Sequence, residues 1–396
     1  MKLFLHLGSE KAGSTAAQSY WQRNFDVHMA RGVWYSRFLG DLNHPKLPIY
    51  GSREFIAQDQ LASEGVVDEA SYNQFCAEVE NGLAGEVAQA KAANCHTFLI
   101  SHEFLHSRIY RAPDVARVAG LCKRLFDEVA ALFVLRKPSD LFISSINELV
   151  RFKSPVREGI LSGVSPNNPY YDFVSLLTIW QNEVGTENVH VIPFSRVPGK
   201  NVLNALNGFL GLDMDIPREE SAENESVDVR TLAIGNAVRS PRLIEGRVNP
   251  NTEFFMTGFP MREKLALGSE MAAELNRRFE TSNRQLLKMF PDELEEGDLF
   301  ADIGQGDESG NFHMLFGLMP YSEGLTFLVE RFNRQVWFER ARTAIIQARH
   351  ARARARHTDA AMAAAQAREF IRNAEGDGLE QGLAELRRAL DKEFPE

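Results

Sequence analysis

Cysteine is scarce in this chain, with three residues among 396: Cys76, Cys95 and Cys122. They are odd in number, far apart and never in C-x-x-C spacing. Neither a disulfide framework nor a zinc site is indicated, and a reducing compartment fits best. Long apolar runs are also missing, since no stretch approaches the roughly 18 apolar residues that a membrane helix needs. The opening MKLFLHLG is too short in its apolar part, and lacks the small-residue cleavage site, to read as a secretory leader. A cytoplasmic protein without a membrane span is expected. Positive charge is in deficit, with 44 Lys and Arg against 54 Asp and Glu. A protein that grips a polyanion carries a basic surface, so nucleic acid is not an expected partner. A small basic pocket for one phosphorylated ligand is compatible with this balance.

What is present is an ordinary hydrophobic complement, 44% of the residues, and enough length for a large α/β domain plus an appendage. KLFLHL is a short apolar run that ends in Gly8 and reads as a buried strand. STAAQSYWQRNF follows with Ala17, Tyr20 and Trp21 at helical spacing. Strand, glycine loop and helix make the first half of a βαβ unit. Further apolar runs cover His96–Ser101, Val129–Leu135 and Asn188–Pro193. Helices are expected over 70–93, from Ser139-Asp140 onward, and around 170–184. Apolar runs between helices predict an α/β fold with a central parallel sheet covered on both faces. Ligands then bind beyond the carboxyl ends of the strands.

The region 220–300 carries no strong strand signal and reads as helices and loops, its clearest helix being 261–290, before Pro291. The glycine-rich, acidic stretch 301–311 sets the expected boundary between a domain spanning 1–300 and a helical C-terminal extension spanning 312–396. There 320–374 reads as helix, and a break at Gly376–Gly378 precedes a last helix over 379–393. Eight arginines fall between 331 and 356. They suit a solvated helix face better than a site for an acidic partner or glycan chain, and an arm for homodimerisation fits equally well.

Residues 6–18, HLGSEKAGSTAAQ, resemble a phosphate-binding loop with a displaced lysine. In G-x-x-x-x-G-K-[ST] the lysine follows the second glycine. Here Gly8 and Gly13 have that spacing, but Ser14 takes the lysine position and Lys11 lies inside the loop. Backbone N–H groups at a helix N-terminus form an anion site, to which Lys11 adds charge and Ser14 and Thr15 add hydroxyl donors. An ordinary strand-to-helix turn is the alternative. The second constellation is LFVLRKPSDLFISSINELVRF, where Arg136 follows a strand and Ser144 and Ser145 lie about two turns into the next helix. A strand-end arginine suits bidentate phosphate recognition; a surface arginine above solvated serines is the alternative.

Together these segments resemble the sulfotransferases that use 3'-phosphoadenosine-5'-phosphosulfate (PAPS), particularly the bacterial carbohydrate-type members. That family's 5'-phosphosulfate loop has the form H-x-G-x-x-K-[ST]-G-[ST]-[ST]. His6, Gly8, Lys11, Gly13, Ser14 and Thr15 fit it, and Ala12 departs from the usual hydroxyl residue. The family's 3'-phosphate site, an arginine followed eight residues later by a serine, is matched by Arg136 and Ser144. Weaker similarity in YYDFVSLLTIWQNEVGTENVHVIPF and NESVDVRTLAIGN extends the resemblance over roughly residues 1–300. It implies a three-layer P-loop-like fold and transfer of a sulfuryl group from PAPS to an acceptor hydroxyl or amine, with no metal required. Gly8, Lys11, Ala12, Gly13, Ser14, Thr15, Arg136 and Ser144 would hold the donor, and Lys11 would stabilise the leaving phosphate. The acceptor must lose a proton to a base. SHEFLH at 101–106 supplies candidates: Glu103 is preferred, then His102, with His6 third and His28 and His44 held in reserve. Bacterial members often carry a matching Ser-x-Glu. A P-loop small-molecule kinase using ATP and a non-catalytic nucleotide-binding protein acting through its helical tail are the competing readings.

Overall fold

The apolar runs are continuous because both faces of each strand are covered. β1 (Lys2–His6), β2 (Val33–Tyr35), β3 (Thr97–Ser101), β4 (Glu128–Leu135) and β5 (Val189–Pro193) form one all-parallel sheet in the order β2-β3-β1-β4-β5. The computed structural model describes residues 1–150, 155–212, 227–238, 243–244, 247–248, 263–301, 310–375 and 379–395. In the register, His6 at the end of β1 lies opposite Ser101 of β3 and Leu132 of β4. The chain builds β2 and β3 on one side of β1 before β4 and β5 on the other. That order places a crevice at the carboxyl end of the central strand.

Around the sheet lie α1 (Ser14–Arg23), α2 (Glu69–Ala92), α3 (Ala112–Leu125), α4 (Pro138–Glu148), α5 (Phe173–Val184) and α6 (Val202–Phe209). Side chains alternate between the two faces with period 2. Phe4, Leu99, Ala130, Leu132 and Val134 share a buried cluster with Ala17, Tyr20 and Trp21 of α1 and with Val202, Leu203 and Leu206 of α6. On the opposite face Phe133 packs against Phe173 of α5, ring centroids 5.4 Å apart, and Phe98 against Phe126 just beyond α3 at 5.2 Å. The α/β sandwich expected from the sequence is what forms, with helices on both faces.

Later helices are α7 (Val229–Ala237), α8 (Ser269–Met289), α9 (Ser322–Ala353), α10 (His357–Asn373) and α11 (Glu380–Glu393). Two compact units divide the chain. One comprises Met1–Ser145, Gly159–Glu225 and Leu267–Ser309; the other comprises Ile146–Glu158, Ser226–Ala266 and Gly310–Glu396. The sequence had suggested a single boundary at 301–311, of which 302–309 lie outside the described residues, as does the break at Gly376–Gly378.

Three elements differ from the sequence reading. β2 was not expected, being only three residues long and paired to β3 alone. The helix read as 261–290 begins at Ser269, after Gly268 as N-cap, while residues 261 and 262 lie outside the described residues. A two-stranded antiparallel ladder, Leu243–Ile244 with Arg247–Val248, lies where no strand was read.

The continuous helix expected over 320–374 is a hairpin, broken at 354–356, where Ala355 takes a left-handed φ of 55°. Its seam is alanine-rich. Trp337, Ala341, Ala344, Ala348 and Ala351 recur at spacings of four and three along α9, as do Ala360, Ala364, Ala367 and Ile371 along α10, continued by Ala374 at its C-cap. Small residues at these positions let two helices pack closely and leave the arginines outside. Arg349 pairs with the Glu393 carboxylate, Arg352 donates to the Glu393 carbonyl and Arg368 to that of Phe394. These cations meet the carbonyl end of α11, where the helix dipole favours positive charge. Among the described residues, no helix is long and apolar enough to cross a membrane.

Candidate functional site

The loop leaving β1 is held in a conformation its sequence is built for. Gly8 and Gly13 have φ of 58° and 81°, and Lys11 between them has φ of 66°. A Cβ on Gly8 would lie 3.0 Å from the Glu103 Cα, so only glycine lets the loop rest against the segment after β3. Ala12 is fully buried in the cluster that contains Val202 and Leu203, and its N–H donates to the Ser9 carbonyl at 3.2 Å. Its side chain belongs to the core, and a hydroxyl there would be buried among apolar groups. The departure from the family pattern at this position therefore has a packing reason.

Gly13 is the N-cap of α1. No side chain caps the helix and no acidic residue lies in its first turn. The first N–H groups of an α-helix have no intrahelical acceptor, so this end presents donors and partial positive charge. Ser14 Oγ is buried and finds no hydrogen-bond partner among the described residues. Thr15, next along, is exposed.

Arg136 reaches this loop from the end of β4. Its Nη1 donates to the Lys11 carbonyl, its guanidinium lies 4.9 Å from the Phe194 ring centroid, and its Nε has no acceptor among the described residues. Burial pushes its pKa down, but an arginine stays charged at any physiological pH. On α4, Ser144 is partly buried. Its neighbour Ser145 donates to the Leu141 carbonyl at 2.8 Å.

Beyond β3 the strand stops at Ser101, and Glu103 already has helical angles as N-cap of the short helix Phe104–Ser107. His102 and Glu103 nonetheless divide between interior and opening. The His102 side chain is 3% exposed and that of Glu103 27%. His102 Nδ1 accepts from the Phe104 N–H at 3.0 Å, and burial lowers its pKa to about 3. Glu103 Oε2 lies 3.4 Å from Gln18 Nε2 and 3.7 Å from His102 Nδ1. Gln18 also donates to Ser101 Oγ at 3.1 Å, where His6 Nδ1 meets the same hydroxyl at 2.8 Å. His44 accepts from the Ser101 N–H through Nδ1 at 2.8 Å and bonds the Ser36 carbonyl through Nε2 at 2.9 Å. With both nitrogens engaged, His44 is scaffold. His28 is buried with neither nitrogen bonded among the described residues.

The sequence reading missed three participants. Gln18 is one helical turn past Ser14, on the same face of α1, which is the signal that could have singled it out. Glu10 and Tyr170 offered none. Tyr170 donates from its hydroxyl to Glu10 Oε2 at 3.1 Å, a contact between residues 160 apart in the chain. Compared with models of known protein families, with curated proteins and with solved structures, the chain matches none.

Proposed function

We propose that the chain is a P-loop-like sulfotransferase that moves a sulfuryl group from PAPS to a hydroxyl or amine of an acceptor, with a carbohydrate or glycoconjugate as the favoured class. One observation carries the reading. Arg136, the expected 3'-phosphate ligand, donates to the backbone of Lys11, the expected 5'-phosphosulfate ligand, so the two halves of the donor motif meet at one end of the sheet. The uncapped start of α1 and the unpartnered Ser14 hydroxyl beside it support an anion there.

In the proposed reaction Glu103 takes the acceptor proton as the acceptor atom bonds to sulfur and the bond from sulfur to the bridging oxygen breaks. The electron pair leaves with the 5'-phosphate, where Lys11 and the α1 N-terminus stabilise the growing charge. Gln18 Nε2 donates to the Glu103 carboxylate at 3.4 Å and so helps to hold it in place. His102 is the weaker base, because burial depresses its pKa to about 3 and Nδ1 already accepts a backbone hydrogen bond.

The test is transfer of labelled sulfate from PAPS to a panel of sugars, glycolipids, phenols and amines in the presence of a metal chelator. Transfer to any member is the expected result. Failure across the panel, together with phosphoryl transfer from ATP–Mg, would favour the kinase reading instead.

A further inference from the structure

We infer that Tyr170 is a positioning residue that holds the negative charge of Glu10 away from the anion-binding face of the loop, an inference that rests on the sulfotransferase reading above. Glu10 immediately precedes Lys11, so its carboxylate sits one residue from the lysine expected to face the phosphosulfate. A carboxylate free to swing toward a bound dianion would repel it through a few ångströms of poorly screened space. The hydrogen bond from the Tyr170 hydroxyl fixes Glu10 Oε2 elsewhere.

Tyr170 is itself anchored independently of that bond. Its carbonyl accepts from His106 Nε2 at 3.0 Å, and its ring packs on the His106 ring at 5.3 Å. On its other side the Tyr170 hydroxyl lies 3.4 Å from Ser145 Oγ. Tyr170 therefore spans from the loop after β1 to α4, the helix that carries Ser144. Burial and the nearby Glu10 charge raise the phenol far above its ordinary pKa, so the hydroxyl keeps its proton for donation. The Glu10 charge is felt on the β3 side of the crevice, where it opposes the burial-driven fall in the pKa values of His102 and His106.

The experiment is a set of binding titrations with adenosine 3',5'-bisphosphate on the full chain. Tyr170→Phe releases Glu10 and is expected to weaken binding about tenfold, with the loss shrinking at high salt as the repulsion is screened. Glu10→Gln alone is expected to bind like wild type or slightly better. The double variant Tyr170→Phe with Glu10→Gln is expected to recover most of the lost affinity, a rescue that a purely structural tyrosine would not show. If wild type binds and Tyr170→Phe binds equally well, or if the double variant is no better than Tyr170→Phe, the role of Tyr170 is overturned while the sulfotransferase reading stands. If wild type itself does not bind the nucleotide, that reading fails and this inference fails with it.

Discussion

At the carboxyl ends of β1, β3 and β4, buried polar atoms are left without partners among the described residues, whereas the C-terminal helices carry several ion pairs at their exposed surface. Ser14 Oγ, His6 Nε2 and Arg136 Nε are buried and unpartnered among the described residues of the sheet end. In the hairpin Arg342 pairs with Glu339, Arg349 with Glu393, Arg356 with Asp359 and Arg387 with Glu375, with the Nε of Arg334 an exception. An unmade buried hydrogen bond costs about 1–3 kcal/mol. A helical hairpin sealed by alanine has no reason to carry such a cost. A loop that receives an anion does, because the ligand supplies the missing partners.

The sharpest way to break the contrast is to remove the proposed base. Glu103→Gln is expected to lose about 100-fold or more in turnover while keeping nucleotide affinity. A variant that keeps its turnover would return the role to His102. Arg136→Ala comes next. It removes the tie to the Lys11 carbonyl and the proposed charged contact to the nucleotide, and should cost about 1.5–3 kcal/mol of nucleotide affinity, roughly tenfold or more. Calorimetric titration reads this directly.

Acidification should separate the two regions by stability. Burial lowers His6 and His106 to about 4, and His44 and His102 to about 3. An unfolded histidine binds a proton below about pH 6.5, where these folded ones do not. Stability is therefore fully present above about 6.5 and is lost as pH falls toward 4 and then 3. His350 and His357 of the hairpin are exposed, outside any such buried cluster. Amide exchange followed from pH 7 to pH 4.5 should show protection falling in β1 and β3 before it falls in α9 and α10. Equal loss in both would contradict the assignment.

Ser14→Ala should give a smaller and two-signed effect. The free protein keeps or slightly gains stability, because an unpartnered buried hydroxyl is removed, while nucleotide affinity falls by about 0.5–1.5 kcal/mol. Thermal melts with and without nucleotide would show both signs. The smallest effect belongs to the hairpin. Arg349→Ala removes a solvent-exposed pair worth about 0.2–1 kcal/mol and should leave nucleotide affinity untouched.

Much of the fold was legible because parallel strands buried on both faces read as unbroken apolar runs. β1, β3, β4 and β5 were found in this way to within a residue at either end. β2 was not, because three residues beside a glycine give no periodicity to detect. The break in the hairpin was equally silent, since Ala355 turns the chain without the glycine or proline that usually marks a turn. Packing of α10 against α9 decides it. At the candidate site, spacing along the chain brought Lys11, Gly13 and Arg136 forward, and Arg136 donates to the Lys11 carbonyl. Gln18 and the bond from Tyr170 to Glu10 did not, because those contacts are set by the register of strands and helices far apart in sequence.

The central claim is that the crevice at the end of β1 holds a nucleotide through both of its phosphate ends. Titration of the wild-type chain with adenosine 3',5'-bisphosphate and with ADP, both without magnesium, tests it most directly. The account predicts at least roughly tenfold tighter binding of the bisphosphate, since only that ligand gives Arg136 and Ser144 a 3'-phosphate to hold. Equal affinity for the two, or tighter binding of ADP, would contradict it.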